Sequence, residues 1–282
     1  MVTYYRSGNI LQELKQSIAN QDCFRASLLL AQYFHSTNQT VSCYEQQLND
    51  WAKQAKAQLD IGQADLANLD NLLHFFYVEL AFSVDEKQYF AKQYSLLDKV
   101  LEYRTGIPIT LAIVFRALAE KLGFVSHGVN FPGHFLLSIE LANEDLVYLD
   151  PSNGKKLSKV DIEQLYFNII GEIEQEKMPP EALFGANCEE IIVRLLHNLK
   201  ASYINGQQFP LALTAVNLLV QLCPNDPYER RDRGFLLHQL ECSQVAIADY
   251  RYFIQHCPKD PASVLLAAQV KQLVSEPPAV FH

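Results

Sequence analysis

One apolar segment limits the folds available to this chain. Residues 108–122 are apolar on nearly every side of a helical projection, and Gly106 and Pro108 stand at the start of the segment. Glycine readily ends a preceding helix, and proline is tolerated in the first turn of a new one, where its missing N–H costs nothing. A helix that is apolar around most of its surface must be buried on several sides. We therefore predict a central helix over residues 108–122, interrupted only by Arg116, Glu120 and Lys121.

After Gly123 the hydrophobic pattern changes from a helical period to extended runs. Turn-forming residues separate these runs, Pro132-Gly133 first and Asn143-Glu144-Asp145 second. Short runs of β-branched and aromatic residues between tight turns are typical of an antiparallel meander. We expect this small sheet to pack on the central helix, which makes the fold class α+β and not a parallel α/β sheet. The three predicted strands cover residues 124–130, 134–141 and 145–149.

Helical patterns lie on both sides of this unit. Apolar residues recur at three- and four-residue steps in residues 1–60 and 66–101, with a turn expected at Asn38-Gln39-Thr40. Residues 157–176 resume a helical pattern, and Met178-Pro179-Pro180 then has the composition of a linker. We therefore expect an N-terminal helical region and a domain boundary near the linker. The predicted domains are residues 1–180 and residues 181–282.

The tail of the chain repeats itself. The stretch Leu222-Cys223-Pro224-Asn225-Asp226-Pro227 returns as His256-Cys257-Pro258-Lys259-Asp260-Pro261, and Ala212 returns as Ala246, a step of 34 residues in each case. This step is the period of the tetratricopeptide repeat, a pair of helices with a small residue at their crossing and a proline after the second helix. We predict an α-helical tetratricopeptide-like tail that binds a protein or peptide partner on its surface.

Composition and charge argue against several classes of function. The net charge is −9 and no basic run could follow a phosphate backbone, so we expect no nucleic-acid partner. A phosphate-binding loop and paired metal-ligand spacings are both missing, so we expect neither cofactor nor metal. No window approaches the ~18 apolar residues of a membrane span, and the N-terminus lacks the pattern of a signal peptide. A cytoplasmic chain with six reduced cysteines is therefore expected.

Four short motifs occur in an order that resembles a known catalytic core. The order resembles the papain-like transglutaminase core, and together with the repeating tail it is similar to the bacterial SirB family, in which a transglutaminase-like domain precedes tetratricopeptide repeats. The resemblance implies a buried helix that begins with a Cys nucleophile, a His at the start of the next strand and an Asp at the exit of the third, for acyl transfer through a thiolate. The motifs are Gly106-Ile107-Pro108-Ile109-Thr110-Leu111-Ala112, Leu122-Gly123, Pro132-Gly133-His134-Phe135 and Leu149-Asp150-Pro151.

Two of the three catalytic positions implied by the resemblance are present. His134 and Asp150 match the superfamily's His and Asp. Counting back from Leu122-Gly123 and Ala112 places Pro108 at the position of the Cys, and no cysteine lies between residues 44 and 187. Proline offers no nucleophile, so the nucleophile position is predicted to be empty.

Thr110 is the candidate hydroxyl that could replace the missing thiol. Two residues along an α-helix correspond to a rotation of about 200°, so Thr110 should point away from the face that Pro108 presents. A Thr hydroxyl also needs a base within hydrogen-bonding distance. The alternative role for Thr110 is a hydrogen bond within the first helical turn.

The other candidate site residues also have structural alternatives. His134 could be a hydrogen-bonded core residue, and Asp150 could form the turn before Pro151. Arg104 and Asn130 are candidates for lining the same cleft, although Arg104 could equally belong to a solvated surface pair.

Three functions are compatible with these patterns. The favoured one is a non-catalytic interaction or regulatory protein, because the nucleophile is missing and the tail is of a partner-binding type. The second is an acyl transferase or an amide or ester hydrolase that uses Thr110, His134 and Asp150. The third is a structural subunit whose cleft is filled by its own aromatic side chains, such as Phe131 or Phe135.

Overall fold

A computed structural model describes residues 2–37, 39–59, 65–85, 87, 91–142, 145–171 and 177–275. Contacts between Cα atoms divide the chain into two compact units, Met1–Leu195 and Leu196–His282. Asn38 and Asn143-Glu144 in the predicted turns, and residues 172–176 of the last predicted helix before the linker, lie outside the described residues. Among the helices that are described, none has the length and apolar character needed to cross a bilayer.

The first unit begins with the predicted helical region, which is confirmed. Several of these helices begin at a polar side chain that accepts a backbone N–H of the first turn, as Asp22, Thr40 and Asp65 do. The helices are α1 (Val2–Ala19), α2 (Cys23–Phe34), α3 (Val41–Lys56), α4 (Leu66–His74), which continues as a π-helical turn over Phe75–Glu79, and α5 (Leu97–Tyr103).

The predicted central helix is present as α6 (Pro108–Lys121), with Pro108 at its first position. Leu111, Val114 and Phe115 on this helix are each 0% exposed. Helices α2, α3 and α5 pack against α6 on one side, and the sheet packs against it on the other. The apolar surface of α6 is therefore covered all round, as its composition requires.

The sheet is antiparallel throughout and has the order β4-β3-β2-β1-β5. The predicted three-stranded meander is confirmed as β1, β2 and β3, and two short edge strands add to it. Strands of two or three residues have no measurable period, which is why the sequence pattern did not reveal β4 and β5. The strands are β1 (Val125–Val129), β2 (Leu136–Glu140), β3 (Leu146–Asp150), β4 (Lys155–Leu157) and β5 (Gly185–Ala186).

Two further helices follow the meander. Helix α7 (Lys159–Ile170) begins with a capping box, in which Ser158 and Asp161 each bond the backbone N–H of the other. A 3₁₀ turn at Pro180–Leu183 and the edge strand β5 lead to α8 (Cys188–Asn205). The placement of a domain boundary near residue 180 stays a prediction.

The helical tail forms the second unit and confirms the predicted repeat architecture. It contains α9 (Phe209–Leu222), α10 (Pro227–Gln239), α11 (Ser243–His256) and α12 (Pro261–Ser275). Helices α9 and α11 start 34 positions apart, and so do α10 and α12. Ala212 and Ala246, the repeated alanines, are each 0% exposed, which fits the tight crossing of paired helices.

Replacement of Gly234 by alanine should destabilise the tail. A Cβ atom at Gly234 would lie 2.7 Å from the ring of Tyr250, which is itself 1% exposed and cannot easily move away. Overpacking of this kind lowers the free energy of unfolding by about 1–3 kcal/mol, and the gain in helix propensity offsets about 1 kcal/mol of that at most. Urea unfolding followed by circular dichroism measures the effect.

The matched control is Gly8→Ala in α1, where an added Cβ has nothing within 4 Å. This variant should be as stable as the parent chain or slightly more stable. Equal stability of Gly234→Ala and Gly8→Ala would contradict the close helix crossing at Gly234.

Candidate active site

His134 and Asp150 lie side by side at one end of the sheet. Nε2 of His134 is 3.2 Å from Oδ2 of Asp150, and the two side chains are 23% and 20% exposed. This is the distance of an ion pair, yet Nε2 has no partner with the alignment of a hydrogen bond. The contact is therefore electrostatic, between an imidazole and a carboxylate that touch without good alignment. Among the described residues Nδ1 of His134 makes no hydrogen bond, so it is free for a ligand.

A tight turn places the His134 side chain. The N–H of His134 donates to the carbonyl of Phe131 at 3.1 Å, and Gly133 has φ +62°. Proline at the second position and a glycine with positive φ at the third are the residues that a type II turn requires. A Cβ at Gly133 would also lie 2.8 Å from Ile169 of α7, so a larger residue would be strained and crowded.

Arg194 of α8 stabilises this turn with two hydrogen bonds. Its Nη1 donates to the carbonyl of Phe131 at 3.0 Å, and its Nη2 donates to the carbonyl of His134 at 2.5 Å. The guanidinium also lies 5.6 Å from the centre of the Phe135 ring. Arg194 was not among the sequence candidates, and no local motif could have indicated it, because it is 60 residues from His134.

Asp150 is held by the turn that follows β3. Its Oδ1 accepts the N–H of Ser152 at 2.8 Å, and its backbone carbonyl accepts the N–H of Gly154 at 2.8 Å. Burial acts to raise the pKa of Asp150, but the contact with His134 and the Ser152 N–H outweigh it, so the pKa lies below its usual value. Asp150 is therefore both a turn-forming residue and the partner of His134.

Tyr77 supports the same turn. Its hydroxyl donates to the carbonyl of Pro151 at 2.8 Å, and its ring fills the space that a side chain at Gly154 would need, 2.5 Å from a Cβ there. Gly154 has φ +74°, which also favours glycine. Burial and the nearby charge of Asp150 raise the pKa of Tyr77, so its hydroxyl stays protonated and a donor.

Pro108 and Thr110 are both buried in the first turn of α6, and Thr110 is 0% exposed. Oγ1 of Thr110 accepts the N–H of Ile107 at 3.0 Å. The hydroxyl proton points between the carbonyls of Ile107 and Tyr94, each 2.9 Å away. In the described part of the chain, every hydrogen bond of this hydroxyl is with the backbone, and His134 is not among its partners.

Arg104 and Asn130 each hold a buried polar atom without a hydrogen-bond partner, Nη1 and Oδ1 respectively. Arg104 ends α5 with φ +56°, and its guanidinium lies 4.1 Å from the centre of the Trp51 ring. Burial lowers the pKa of Arg104. Within the described ranges, neither side chain is hydrogen-bonded to His134 or Asp150.

Phe131 and Phe135 belong to the core around the site, with 0% and 3% exposure. Phe131 packs in a cluster with Val129, Leu136 and Ile162. No three His, Cys, Asp or Glu side chains of the described ranges come together as a metal site would require.

Comparison with known proteins identifies the family. A model of the transglutaminase-like superfamily matches residues 42–197, and a tetratricopeptide-repeat model matches residues 199–271. A UPF0162 protein of Vibrio cholerae is 38% identical over 230 residues, which cover 82% of this chain and 84% of the relative. Protein SirB1 of Salmonella typhimurium is 35% identical over 205 residues, or 73% of this chain and 76% of the relative. The chain belongs to the SirB1/UPF0162 family.

A further member of the SirB1/UPF0162 family, YchA of Escherichia coli, is 35% identical over 206 residues, which cover 73% of this chain and 76% of the relative. No solved structure matches the chain. In this SirB1/UPF0162 chain the superfamily match includes the His134–Asp150 pair and the first turn of α6. The catalytic roles of His134, Asp150 and Thr110 stay predictions.

The contact between Asp150 and His134 predicts a pH-dependent effect of Asp150→Asn. Because the pKa of Asp150 is lowered by folding, its carboxylate stabilises the fold above the unfolded pKa, and this contribution is lost as the pH falls through the folded pKa. We expect the substitution to lower the free energy of unfolding at pH 7 by about 1–2 kcal/mol. Urea unfolding should show the difference shrinking as the pH is reduced below about 4.

Asp50→Asn is the control for this prediction, because Asp50 pairs with Lys53 on the surface of α3 with half of its side chain exposed. Its effect should stay within about 0.5 kcal/mol at every pH. A stability loss in Asp150→Asn that is the same at pH 3 and pH 7 would show that the contact with His134 is not electrostatic.

Proposed function

We propose that this SirB1/UPF0162 chain is a non-catalytic protein-interaction or regulatory protein, whose transglutaminase-like cleft binds a ligand without acyl transfer. The observation that carries the proposal is the environment of Thr110. This hydroxyl is 0% exposed and bonded to the backbone of Ile107 and Tyr94. Pro108 occupies the position where the superfamily has its nucleophile, so the first turn of α6 offers no group ready to attack a carbonyl carbon.

Recruitment of Thr110 as a nucleophile would be costly. A hydroxyl must lie about 2.6–3.2 Å from the base that takes its proton, whereas the proton of Thr110 is directed at backbone carbonyls. Turning Oγ1 towards the cleft would also remove the closer of the two acceptors of the Ile107 N–H and leave only the carbonyl of Tyr94 at 3.4 Å. A hydrogen bond lost inside the protein costs about 0.5–1.5 kcal/mol, which would be added to the barrier of any reaction.

The His134–Asp150 pair supports a role in binding. Both side chains are partly exposed, and their turns are fixed by Arg194 and Tyr77, so they are pre-organised for a polar ligand. Asp150 contacts Nε2 of the ring, which leaves Nδ1 to hydrogen-bond a ligand. A chain end or a polar side chain of a partner protein is the class of group that would fit such a pair.

The tail supports a protein or peptide as the partner. Tetratricopeptide repeats are typical of protein interactions, and the repeat match covers residues 199–271. Large apolar side chains stand exposed on this unit, including Val264 and Leu265 at 73% each and Phe235 at 43%. Exposed apolar and aromatic side chains on a helical repeat supply the contact area that a partner buries.

An acyl transferase or an amide or ester hydrolase that uses Thr110, His134 and Asp150 is the second candidate. The contact between His134 and Asp150 favours it, because an oriented imidazole is what a general base needs. It requires a conformation in which the Thr110 hydroxyl leaves its backbone partners and reaches the imidazole.

An acylation assay distinguishes these two functions. The chain is mixed with an activated acyl ester, nitrophenol release is followed, and the product is examined by intact mass and peptide mapping. We expect no initial burst of nitrophenol and no acyl adduct on Thr110. The slow background hydrolysis of the ester should have the same rate with the parent chain, Thr110→Val and His134→Ala.

Thr110→Val should nevertheless lower the free energy of unfolding by about 0.5–1.5 kcal/mol, because the N–H of Ile107 loses its closer acceptor and keeps only the carbonyl of Tyr94 at 3.4 Å. Thr110→Ser, which keeps the hydroxyl, is the control and should be closer to the parent in stability. An acyl adduct at residue 110 that disappears in both Thr110→Val and His134→Ala would overturn the non-catalytic proposal.

A further inference from the structure

Two buried cysteines meet at the starts of two helices, away from the His134–Asp150 pair in sequence. Cys23 is the first residue of α2 and Cys188 is the first residue of α8, with 8% and 1% exposure. Both belong to the first compact unit. The two cysteines line the same cavity and their side chains interact electrostatically, and both are free thiols in this structure.

A backbone contact brings the two helix starts together. The N–H of Cys188 donates to Oε1 of Gln21 at 2.9 Å, and Gln21 is two residues before Cys23. Gln21 has φ +60°, which turns the chain sharply between α1 and α2. The positions of the two cysteines therefore depend on the backbone at the starts of α2 and α8 and not on flexible side chains alone.

The pair opens onto solvent-accessible space. Two cavities of about 600 and 670 Å³ lie beside it, within the size range of small-molecule sites. Cys23 lines both cavities, and Cys188 lines the larger one. Arg116 and Glu120 of α6 also line both. Cys23 therefore borders space that a small reagent can enter, although the residue is mostly covered.

The groups around the pair shift the pKa values of the two thiols in opposite directions. The neighbouring Cys188 thiol lowers the pKa of Cys23, and burial opposes this effect. The Arg116 guanidinium lowers the pKa further, so it lies below its usual value despite the charge of Glu120. The pKa of Cys188 is raised by its contact with Cys23 and by burial, and Asp22 adds to this. Each sulfur is also at a helix N-terminus, where the helix dipole favours negative charge.

We propose that Cys23 and Cys188 form a dithiol site for hydroperoxides, in which Cys23 attacks the peroxide and Cys188 then closes a disulfide. The site is separate from the His134–Asp150 pair and does not depend on the proposed binding function. The geometry that supports it is one cavity lined by Cys23, Cys188 and Arg116, with the two helix starts joined by the hydrogen bond from Cys188 to Gln21.

The reaction has two balanced steps. The Cys23 thiolate attacks one oxygen of the hydroperoxide, so that an S–O bond forms, the O–O bond breaks, and the departing oxygen leaves as hydroxide or alkoxide and takes a proton from solvent. The sulfur of Cys188 then attacks the sulfur of Cys23, which forms the S–S bond and breaks the S–O bond. The hydroxide released takes the Cys188 proton and leaves as water. The two thiols lose two electrons in total, and the peroxide gains them.

The chain provides an internal control in Cys43. It also lies in the first turn of a helix, α3, and it is exposed. Its sulfur accepts a hydrogen bond from the Thr40 hydroxyl, and no cysteine of the described residues is bonded to it. If exposure alone governed oxidation, Cys43 would react before Cys23. If the paired environment governs it, the order is reversed.

The test is stoichiometric oxidation of the full chain with hydrogen peroxide at neutral pH, followed by blocking of the remaining thiols and peptide mapping without reductant. We expect a loss of two of the six free thiols, recovery of one peptide pair linked through Cys23 and Cys188, and reversal by dithiothreitol. Cys43→Ser should give the same linked pair, and Cys23→Ser should give none. In Cys188→Ala we expect Cys23 to be trapped by dimedone as a sulfenic acid.

The peptide map of the oxidised parent chain tests the Cys23–Cys188 proposal even if a variant fails to fold. Oxidation of Cys43 before Cys23, linkage of Cys23 or Cys188 to any other cysteine, or a fully reduced pair after the exposed thiols have reacted would each overturn the proposal.

Discussion

The first turn of α6 must satisfy its backbone N–H groups without water, and the rest of the site depends on how it does so. Helix α6 is surrounded by helices and sheet, and its N-terminus is buried with it. Pro108 removes one unpaired donor, and Thr110 supplies an acceptor for the N–H of Ile107 at 3.0 Å. Gly106 leaves room for this arrangement, since a Cβ there would lie 2.6 Å from Oγ1 of Thr110. The Thr110 hydroxyl that helps to satisfy the buried turn is therefore engaged with backbone groups.

The His134–Asp150 pair is held in place by distant parts of the chain. Arg194 holds the turn before β2, and Tyr77 holds the turn after β3. Both donate to backbone carbonyls, so they fix the positions of His134 and Asp150 without competing for their side chains. Hydrogen bonds of this kind keep the His134–Asp150 pair rigid, and a rigid polar pair can bind a ligand with or without catalysing a reaction.

Local sequence patterns predicted the elements that have a clear hydrophobic or repeat period, or turn-forming residues at their ends. Helix α6, the three-stranded meander and the 34-residue tail repeat are of this kind, and so is the placement of Asp150 at the end of β3. His134 was expected to begin a strand but lies in the turn before β2. Strands β4 and β5 are too short to show a period. Arg194 and Tyr77 act over 60 and 74 residues of sequence separation, and Cys23 meets Cys188 through tertiary packing. No local sequence pattern predicts such contacts, because only the folded chain brings the partners together.

The most direct test of the account is the reactivity of a cysteine introduced by Pro108→Cys. If position 108 is the nucleophile position of a transglutaminase-like site, a thiol there lies at a helix N-terminus and beside the His134 imidazole, and both lower its pKa below the usual value of about 8.5. The measurement is the pH dependence of iodoacetamide alkylation at residue 108, read by peptide mapping, in Pro108→Cys with and without His134→Ala. The account predicts rapid alkylation below neutral pH that is lost with His134→Ala. Alkylation that follows an ordinary thiol profile and is the same with and without His134 would contradict it.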